Sequence, residues 1–441
     1  MCHTGINIMK RAERIKETLK ETKERRKSQI ARTYSLKLQN ISKTKEEKLF
    51  KAFLEVKWLY NWAINQDDIF AIDGSKVKVV SVKKGEEFEE RKLEILGSQV
   101  KQEIVDRIKD NIKGLAKLKE KGKRIGRLKP KKKVNSIPFK QYGISHWIDF
   151  KKNRVHLQKL GSFRVLGLHQ IPPSAELSSA VLVKKPSGYY THITCYIPKE
   201  QAERVQKPVA IDFGVKDKLT LSNGMKIDFE VAESKRLKRL QRELARKKKG
   251  SKNREKIGKK LAREYERIEN RRKDAINKIV AFLKLYSMVI FQQDSISLWH
   301  KGWFSKAVQY SGIGKLRERL RSSPLPVLEI DRFEPTSKVC SKCGTYFEGL
   351  KLSDRTIFCP ECSNQMDRDL NACLVMLKMV SPASRVVGLG RSELTPAERE
   401  ASARILGSNP YIRVSFRRKL LVLTRRGGHV IHYCITKLYI I

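Results

Sequence analysis

The chain has 441 residues and sets 95 Lys and Arg against 47 Asp and Glu, a formal net charge of +48 with a pI near 10.1. That is far beyond the roughly 2–8 charges that keep a small domain soluble, so a polyanion is expected to offset it; nucleic acid is the default, since phosphates release counterions on binding, and a membrane surface is the weaker option. No run of about 18 apolar residues exists, which excludes a spanning helix, while 40% apolar residues exclude a disordered basic tail, and the length suggests about three domains.

The first ten residues run straight into dense charge, so a secretory leader is not expected. Residues 10–27 hold nine basic and four acidic residues and read as a solvated basic extension, taken as 1–30. From Ala31 polar and apolar residues alternate, as in a half-buried strand. Residues 46–65 place Leu49, Phe50, Phe53, Leu54 and Trp58 at helical spacing, and residues 93–118 do the same with Val100, Ile104, Ile108, Ile112 and Leu115. Trp58, Tyr60 and Trp62 are suited to base stacking, worth roughly 1–3 kcal/mol each, but their helical placement favours core packing; Trp147, Trp299, His300 and Trp303 carry the same plain alternative.

Residues 117–133 contain ten Lys and Arg and one acid, Glu120. Gly122, Gly126 and Pro130 break the pattern, which suits a phosphate-binding strap better than a helix. Residues 134–198 read as short strands with a hairpin at Pro186-Ser187-Gly188. The expectation for 31–206 is a small antiparallel barrel with a helical lobe, about 43–130, inserted into it. Residues 198–208 form a polar linker.

After the linker, residues 208–229 read as three strands, the last two joined at Asn223-Gly224, a strong hairpin signal. Asp212 ends the first strand. A carboxylate in an apolar strand costs several kcal/mol unless it is paired or binds metal, and a structural ion pair is the plain alternative. Gly214 allows another backbone to approach it. Residues 233–274, with 19 Lys and Arg and 7 Asp and Glu, form a basic helical hairpin broken at Gly250-Ser251. A buried strand at 287–295, a helix at 306–321 and a strand at 326–332 follow.

Eight cysteines include two close pairs, Cys340/Cys343 and Cys359/Cys362, fifteen residues apart. This is the spacing of a four-thiolate zinc ribbon in a reducing compartment. Cys2, Cys195, Cys373 and Cys434 are scattered. Asp369 then opens a helix, where a negative charge also favours the helix dipole. Strand and hairpin, helices, strand, helix, strand, helix is the order of an RNase H-like fold. Asp212 in its first strand and Asp369 at its last helix are where such folds gather acids around two Mg²⁺ (or Mn²⁺) ions, roughly 3.5–4 Å apart.

Three segments carry a specific resemblance: Ala210-Ile-Asp-Phe-Gly-Val-Lys216, Pro335-Thr-Ser-Lys-Val-Cys-Ser-Lys-Cys-Gly344 and Asp367-Arg-Asp-Leu-Asn-Ala372. Together they resemble TnpB, the RNA-guided nuclease family of IS200/IS605-type transposons, related to compact type V CRISPR effectors. The likeness spans about 31–410, and 389–399 resembles the family's C-terminal tail. It implies an α+β multidomain protein: an oligonucleotide-binding wedge barrel with its recognition lobe, a RuvC-like nuclease domain at 207–380 with a zinc ribbon nested at 340–362, and a partly disordered tail at 381–441. It further implies a guide RNA, double-stranded target DNA with a short flanking motif, structural Zn²⁺, Asp212 and Asp369 as metal-binding acids with Asp367 a mere neighbour, and a prokaryotic cytoplasmic, nucleoid-associated site of action.

One departure stands out. The family usually has Glu-Asp where this chain has Gln293-Asp294, and an amide is a poor Mg²⁺ ligand. Either the nuclease is dead and the protein is a guided DNA-binding repressor, or a nearby carboxylate substitutes. Because the strands at 288–293 and 326–331 are expected to lie side by side, Glu329 is the first choice and Asp331 shares its orientation; Glu334 and Asp294 are fallbacks. A plain zinc-ribbon nucleic-acid-binding protein is a third reading, which leaves Asp212 and Asp369 unexplained. Residues 416–441 are apolar and basic and lack the family pattern.

Overall fold

The computed structural model describes residues 11–85, 87–199, 207–214, 217–231, 233–299, 308, 311–351, 353–380 and 395–416. The expectations for His300, Trp303, most of 389–399 and 417–441 fall outside these residues. The chain divides into two compact units, Met1–Gln201 and Ala202–Ile441.

In the first unit α1 (Arg11–Lys27) leads into the long strand β1 (Gln29–Gln39), followed by α2 (Lys43–Ala63), the hairpin β2 (Val79–Lys84) and β3 (Glu87–Lys92), and α3 (Ser98–Glu120). Six strands complete it: β4 (Ser136–Phe139), β5 (His146–Asp149), β6 (Arg154–Leu157), β7 (Gly161–Leu166), β8 (Glu176–Lys185) and β9 (Gly188–Pro198). The antiparallel sheet runs β4-β8-β9-β1-β7-β6-β5. Its inward positions, among them Leu36, Phe139, Leu157, Phe163, Leu182 and Ile193, pack against Leu49, Phe53 and Val56 of α2 and Val100, Ile104 and Val105 of α3. Trp58 and Trp62 join this apolar body, in line with core packing.

The hairpin β2–β3 has no counterpart in the sequence reading, because Lys83, Lys84, Glu87, Glu89 and Glu90 blur its alternation. α3 starts at Ser98 rather than near 93 for an identifiable reason. Glu55, fully buried on α2, accepts hydrogen bonds from the N–H groups of Glu94 (3.1 Å), Ile95 (2.9 Å) and Leu96 (3.0 Å), holding that segment outside the helix. Past Glu120 the basic strap is irregular, and Asn61 pins it to α2 through both the N–H (2.8 Å) and the carbonyl (3.1 Å) of Lys131.

In the second unit β10 (Val209–Asp212), β11 (Leu219–Leu221) and β12 (Met225–Phe229) form a meander. The basic hairpin α4 (Lys235–Ala245) and α5 (Lys252–Leu283) follows, with Ser251 capping α5. Then come β13 (Val289–Gln292), α6 (Ile313–Arg321), β14 (Val327–Ile330), the ribbon strands β15 (Thr356–Phe358) and β16 (Gln365–Asp367), and α7 (Arg368–Val380). Residues 395–416, expected only as part of a tail, fold as α8 (Pro396–Ala401), a π-helical turn at Ser402–Leu406 and β17 (Ile412–Phe416), which pairs with β12.

The sheet order is β14-β13-β10-β11-β12-β17, with β10, β13 and β14 parallel and the rest antiparallel. Alternation along the strands makes two faces. Val209, Ile211, Ile227, Val289 and Phe291 pack on one side with Ile279, Leu316 and Leu320 of α5 and α6. Ala210, Ile290 and Ile330 pack on the other with Cys373 and Met376 of α7.

Candidate active site

Asp212 is the last residue of β10 and shares the parity of Ala210, so its side chain leaves the sheet on the α7 face. Across the sheet it pairs with Thr220, and Thr220 pairs with Lys226. On the other side β10 and β13 pair Ala210 with Ile290 and Ile211 with Phe291; one residue further, the same register sets Gln292 beside Asp212. The chain then turns sharply. A Cβ at Gly214 would sit 2.5 Å from the carbonyl oxygen of Asp217, so only glycine admits that approach.

α7 packs over β10 and β11. Its start is fixed by Asp367, whose Oδ1 accepts from the N–H groups of Asp369 (3.1 Å) and Leu370 (3.2 Å), as a cap does. The other oxygen of Asp367 accepts from Lys226 Nζ at 3.0 Å. Lys226 is a buried lysine that also donates to Asp217 at 2.8 Å and lies 3.9 Å from Asp369. Further along α7, the buried Cys373 thiol donates to the Thr220 carbonyl at 3.2 Å.

The resulting field is acidic. Burial, then the charges of Asp369 and Asp294, push the Asp212 carboxyl up to about 7. Asp369 is raised by burial and by Asp367, against the pull of Lys226 and Arg368. Asp294 is raised by burial, although Arg317 and Arg332 oppose it. Asp212 feels the charges of Asp369 and Asp294, and carboxylate oxygens are the ligands a divalent cation takes, although the three side chains do not all lie within 4.8 Å of one another.

Asp294 owes its place to Arg317 of α6. This guanidinium, 2% exposed, lies near the rings of Phe213 and Phe291 and donates to the carbonyls of Asp294 (2.8 Å) and Gln292 (3.2 Å). Gln292 is committed elsewhere. Its amide donates to the carbonyls of Asp331 (3.1 Å), Arg332 (3.2 Å) and Glu334 (2.8 Å) and accepts from the Thr336 hydroxyl (2.9 Å). A carboxylate could not make those donations.

β13 and β14 are parallel neighbours as expected, but this does not bring Glu329 to Asp212. Glu329 pairs with Phe291 and therefore leaves the sheet on the α5–α6 side, where Arg321 holds both its oxygens (2.5 and 2.7 Å) and lowers its pKa. Asp331 accepts from the N–H of Phe333 (2.9 Å) in a surface turn that also contains the exposed Glu334. Gln293 is exposed, and its N–H donates to the Ile330 carbonyl. Lys226, Arg317 and Gln292 escaped the sequence reading. Lys226 alone carried a signal there: a charge flanked by Met225 and Ile227 at the start of a strand.

The four paired cysteines converge. Their sulfurs all lie within 4.8 Å of one another, the only such set of three or more potential ligand side chains among the described residues. Cys340 and Cys362 are 3.7 Å apart and Cys343 and Cys359 3.4 Å, spacings that suit tetrahedral thiolates about one ion. In each knuckle the residue after the second cysteine is left-handed, Gly344 at φ 88° and Ser363 at φ 52°. Asn371, fully buried on α7, ties the first knuckle down. Its amide donates to the Val339 carbonyl (2.7 Å) and accepts from the Ser341 N–H (2.8 Å).

Residues 183–288, which include Asp212, match the family model OrfB_IS605, described as "Probable transposase". Residues 313–376, which include the four cysteines and Asp369, match that of the Cas12f1-like TNB domain. Among curated relatives, a "Putative RNA-guided DNA endonuclease" of Streptomyces pristinaespiralis is 31% identical over 212 residues, 46% of this chain and 52% of the relative. The "Putative RNA-guided DNA endonuclease InsQ" of Escherichia coli K12 is 25% identical over 296 residues, 60% of this chain and 68% of the relative. The chain thus spans about half the length of the first relative and two thirds of the second.

Proposed function

As a member of the TnpB family, this chain is, we propose, an RNA-guided DNA endonuclease that cuts target DNA at a RuvC-like metal site. The observation that carries the reading is the position of Asp212 at the end of β10, where burial and the nearby charges of Asp369 and Asp294 raise its carboxyl. The order β12-β11-β10-β13-β14, with only the last three parallel, supports an RNase H-like assignment for 207–380. The seven-stranded sheet and helices of 31–206 support the wedge and recognition-lobe assignment.

Asp212, Asp369 and Asp294 would hold Mg²⁺ or Mn²⁺, with Asp294 in place of Glu329. Bound there, the cations supply an activated water and a counter-charge for the leaving 3′ oxygen. The chain's own groups orient the acids. Arg317 fixes the backbone of Asp294, and Asp367 with Lys226 fixes the first turn of α7. Asp367, already engaged by those bonds, is left out of the proposed ligand set. Zn²⁺ in the cysteine cluster would be structural, and the partners would be a guide RNA and double-stranded DNA with a flanking motif, in a prokaryotic cytoplasm. Among the described residues no helix is long and apolar enough to cross a membrane.

A second reading, a guided repressor without cleavage, draws on Gln292, the amide in register beside Asp212. The test is direct. The protein is purified with its RNA and given Mg²⁺ and matched double-stranded DNA. Cleavage that disappears in Asp212→Ala and in Asp294→Asn supports the nuclease. Binding without cutting, even at high metal, establishes the repressor. A transposon context or a repeat array beside the gene separates a transposon protein from a compact CRISPR effector.

A further inference from the structure

Cys373 is fully buried on α7 and takes no part in the cysteine cluster. A buried free cysteine usually acts as a small apolar side chain, and one side of Cys373 does so, packing with Ala210, Ile290 and Met376. The other side meets polar backbone. Its thiol donates to the Thr220 carbonyl at 3.2 Å, and the Asp212 N–H also reaches the sulfur. Thr220 is the cross-strand partner of Asp212. The Ser222 N–H donates to the Ala210 carbonyl (2.9 Å) and the Gly214 N–H to the Lys218 carbonyl (3.4 Å). The alternation of an antiparallel ladder makes Asp212 and Thr220 the bonded pair between these two.

Cys373 lies four residues after Asp369, so the two side chains share one face of α7, a turn apart. The sulfur therefore closes a short path between the acids. The path runs from Asp212 to Thr220 across the ladder, from Thr220 to Cys373 through the thiol, and from Cys373 to Asp369 through one helical turn. Asp367 and Asn371 tie the same helix to β12 and to the ribbon; Cys373 ties it to the strand pair that carries Asp212.

We propose that Cys373 is a positioning residue of the cation site: its thiol fixes the approach of α7 to β10 and so tunes Asp212 and Asp369 to a small divalent cation, Mg²⁺ rather than Ca²⁺. Mg²⁺ demands ligands at about 2.0–2.1 Å in near-ideal octahedral geometry, whereas Ca²⁺ takes them at about 2.3–2.6 Å in looser arrangements. A link of fixed length therefore matters more to the smaller ion. This inference rests on the reading of the two acids as cation ligands, but not on cleavage.

The test uses the full zinc-loaded chain without DNA, in high salt, which screens diffuse cation binding. Mn²⁺ binding is followed by electron paramagnetic resonance of the free ion, and Mg²⁺ and Ca²⁺ are titrated in competition. Binding that is lost in Asp212→Ala defines the site. Cys373→Ala, which deletes the link, should weaken Mg²⁺ about tenfold, at the low end of the roughly 10–100-fold that groups behind the ligands contribute, and should weaken Ca²⁺ distinctly less. Cys373→Ser keeps a donor and should retain most of the Mg²⁺ affinity, whereas Cys373→Val fills the space without a donor and should behave as Cys373→Ala. Unchanged Mg²⁺ binding in Cys373→Ala, equal losses for Mg²⁺ and Ca²⁺, or a Ser variant as weak as the Ala variant would each overturn the inference alone. A native protein that titrates like Asp212→Ala would overturn the nuclease reading with it. Thermal unfolding without divalent cation shows which variants are folded at the titration temperature; if Cys373→Ala is not, the Ser and Val variants carry the comparison.

Discussion

Asn371 grips the peptide of Ser341 at 2.8 Å, and in doing so it joins the cysteine ribbon to the helix that carries Asp369. The same amide donates to the carbonyl of Val339, so both sides of the first knuckle hang on one buried side chain. Asp369 lies two residues away in the first turn of α7. A ribbon whose own strands β15 and β16 are three residues each depends on its ion for shape. An ion held there would therefore bear on the placement of Asp369, one of the proposed metal-binding acids.

Removing zinc by chelation, or substituting Cys359→Ser, should thus reduce DNA cleavage even though no cysteine touches the acids. Metal analysis should find about one zinc per chain in the native protein and little in the variant. Asn371→Ala, which strips two buried backbone groups of their partner, should cost about 1–3 kcal/mol for each and reproduce the cleavage loss with zinc still bound. Full activity in the zinc-depleted protein would break the link.

Gln292, the residue before the departing pair Gln293-Asp294, provides the sharpest test of whether the site lacks an acid. Gln292→Glu puts an acid in register beside Asp212, yet the expected outcome is a less stable and no more active protein. The substitution removes the amide's donations to three carbonyl oxygens of an exposed turn and sets a carboxylate against them; because water can reach those carbonyls, the loss should be about 0.5–1.5 kcal/mol. Thermal unfolding and cleavage rates on the same preparation decide it. A rate above that of the native protein would mean that the site does lack an acid. In parallel, Glu329→Gln should leave cleavage within a few-fold and lower stability by at most about 1 kcal/mol, since its pair with Arg321 is partly exposed.

Much of this was legible in the sequence. The cysteine spacing, the strand ending in Asp212 and the basic hairpin follow from residue type and period, because each is local. The ligand choice on β14 was not, and the reason is parity. Adjacency of β13 and β14 was readable, but which face Glu329 takes depends on the register with Phe291, and a one-residue difference sends a side chain to the opposite side of a sheet. Arg317 and Gln292 were invisible because they act on backbone carbonyls far along the chain, and the sequence offers no pattern for such partners. The hairpin β2–β3 was hidden by charge, since its exposed side carries most of its residues.

Lys226 should prove indispensable for stability as well as geometry. Its ammonium is shared by Asp217 and Asp367 and is largely shielded from water. Lys226→Met takes a shared counter-charge from the part-buried Asp217 and Asp367, which should cost less than the about 3–5 kcal/mol of a fully buried pair broken from one side. Lys226→Arg keeps the charge and should cost less. If divalent cation stabilises the Met variant more than the native protein, as the added negative charge predicts, thermal shifts measured against Mn²⁺ will separate the two curves. Identical metal dependence of the two proteins would argue that Lys226 does not share the field of the acids.

The first unit should have its own pH dependence, set by His146. This imidazole is fully buried, its Nε2 has no hydrogen-bond partner among the described residues, and burial pulls its pKa down to about 4. In the unfolded chain it titrates near 6.5. The unfolded state therefore binds the extra proton between about pH 6.5 and pH 4, so stability is fully present above that window and is lost as the pH falls through it. The shift corresponds to about 3 kcal/mol at the lower end, at roughly 1.36 kcal/mol per unit. His146→Phe, a ring of similar shape with no nitrogen to protonate, should remove this loss while leaving stability near neutral pH almost unchanged. Urea unfolding of both proteins at pH 7, 5.5 and 4 measures the difference, which also cancels the acid titration of carboxylates common to the two. Parallel curves across that range would show that His146 takes up its proton without unfolding the first unit.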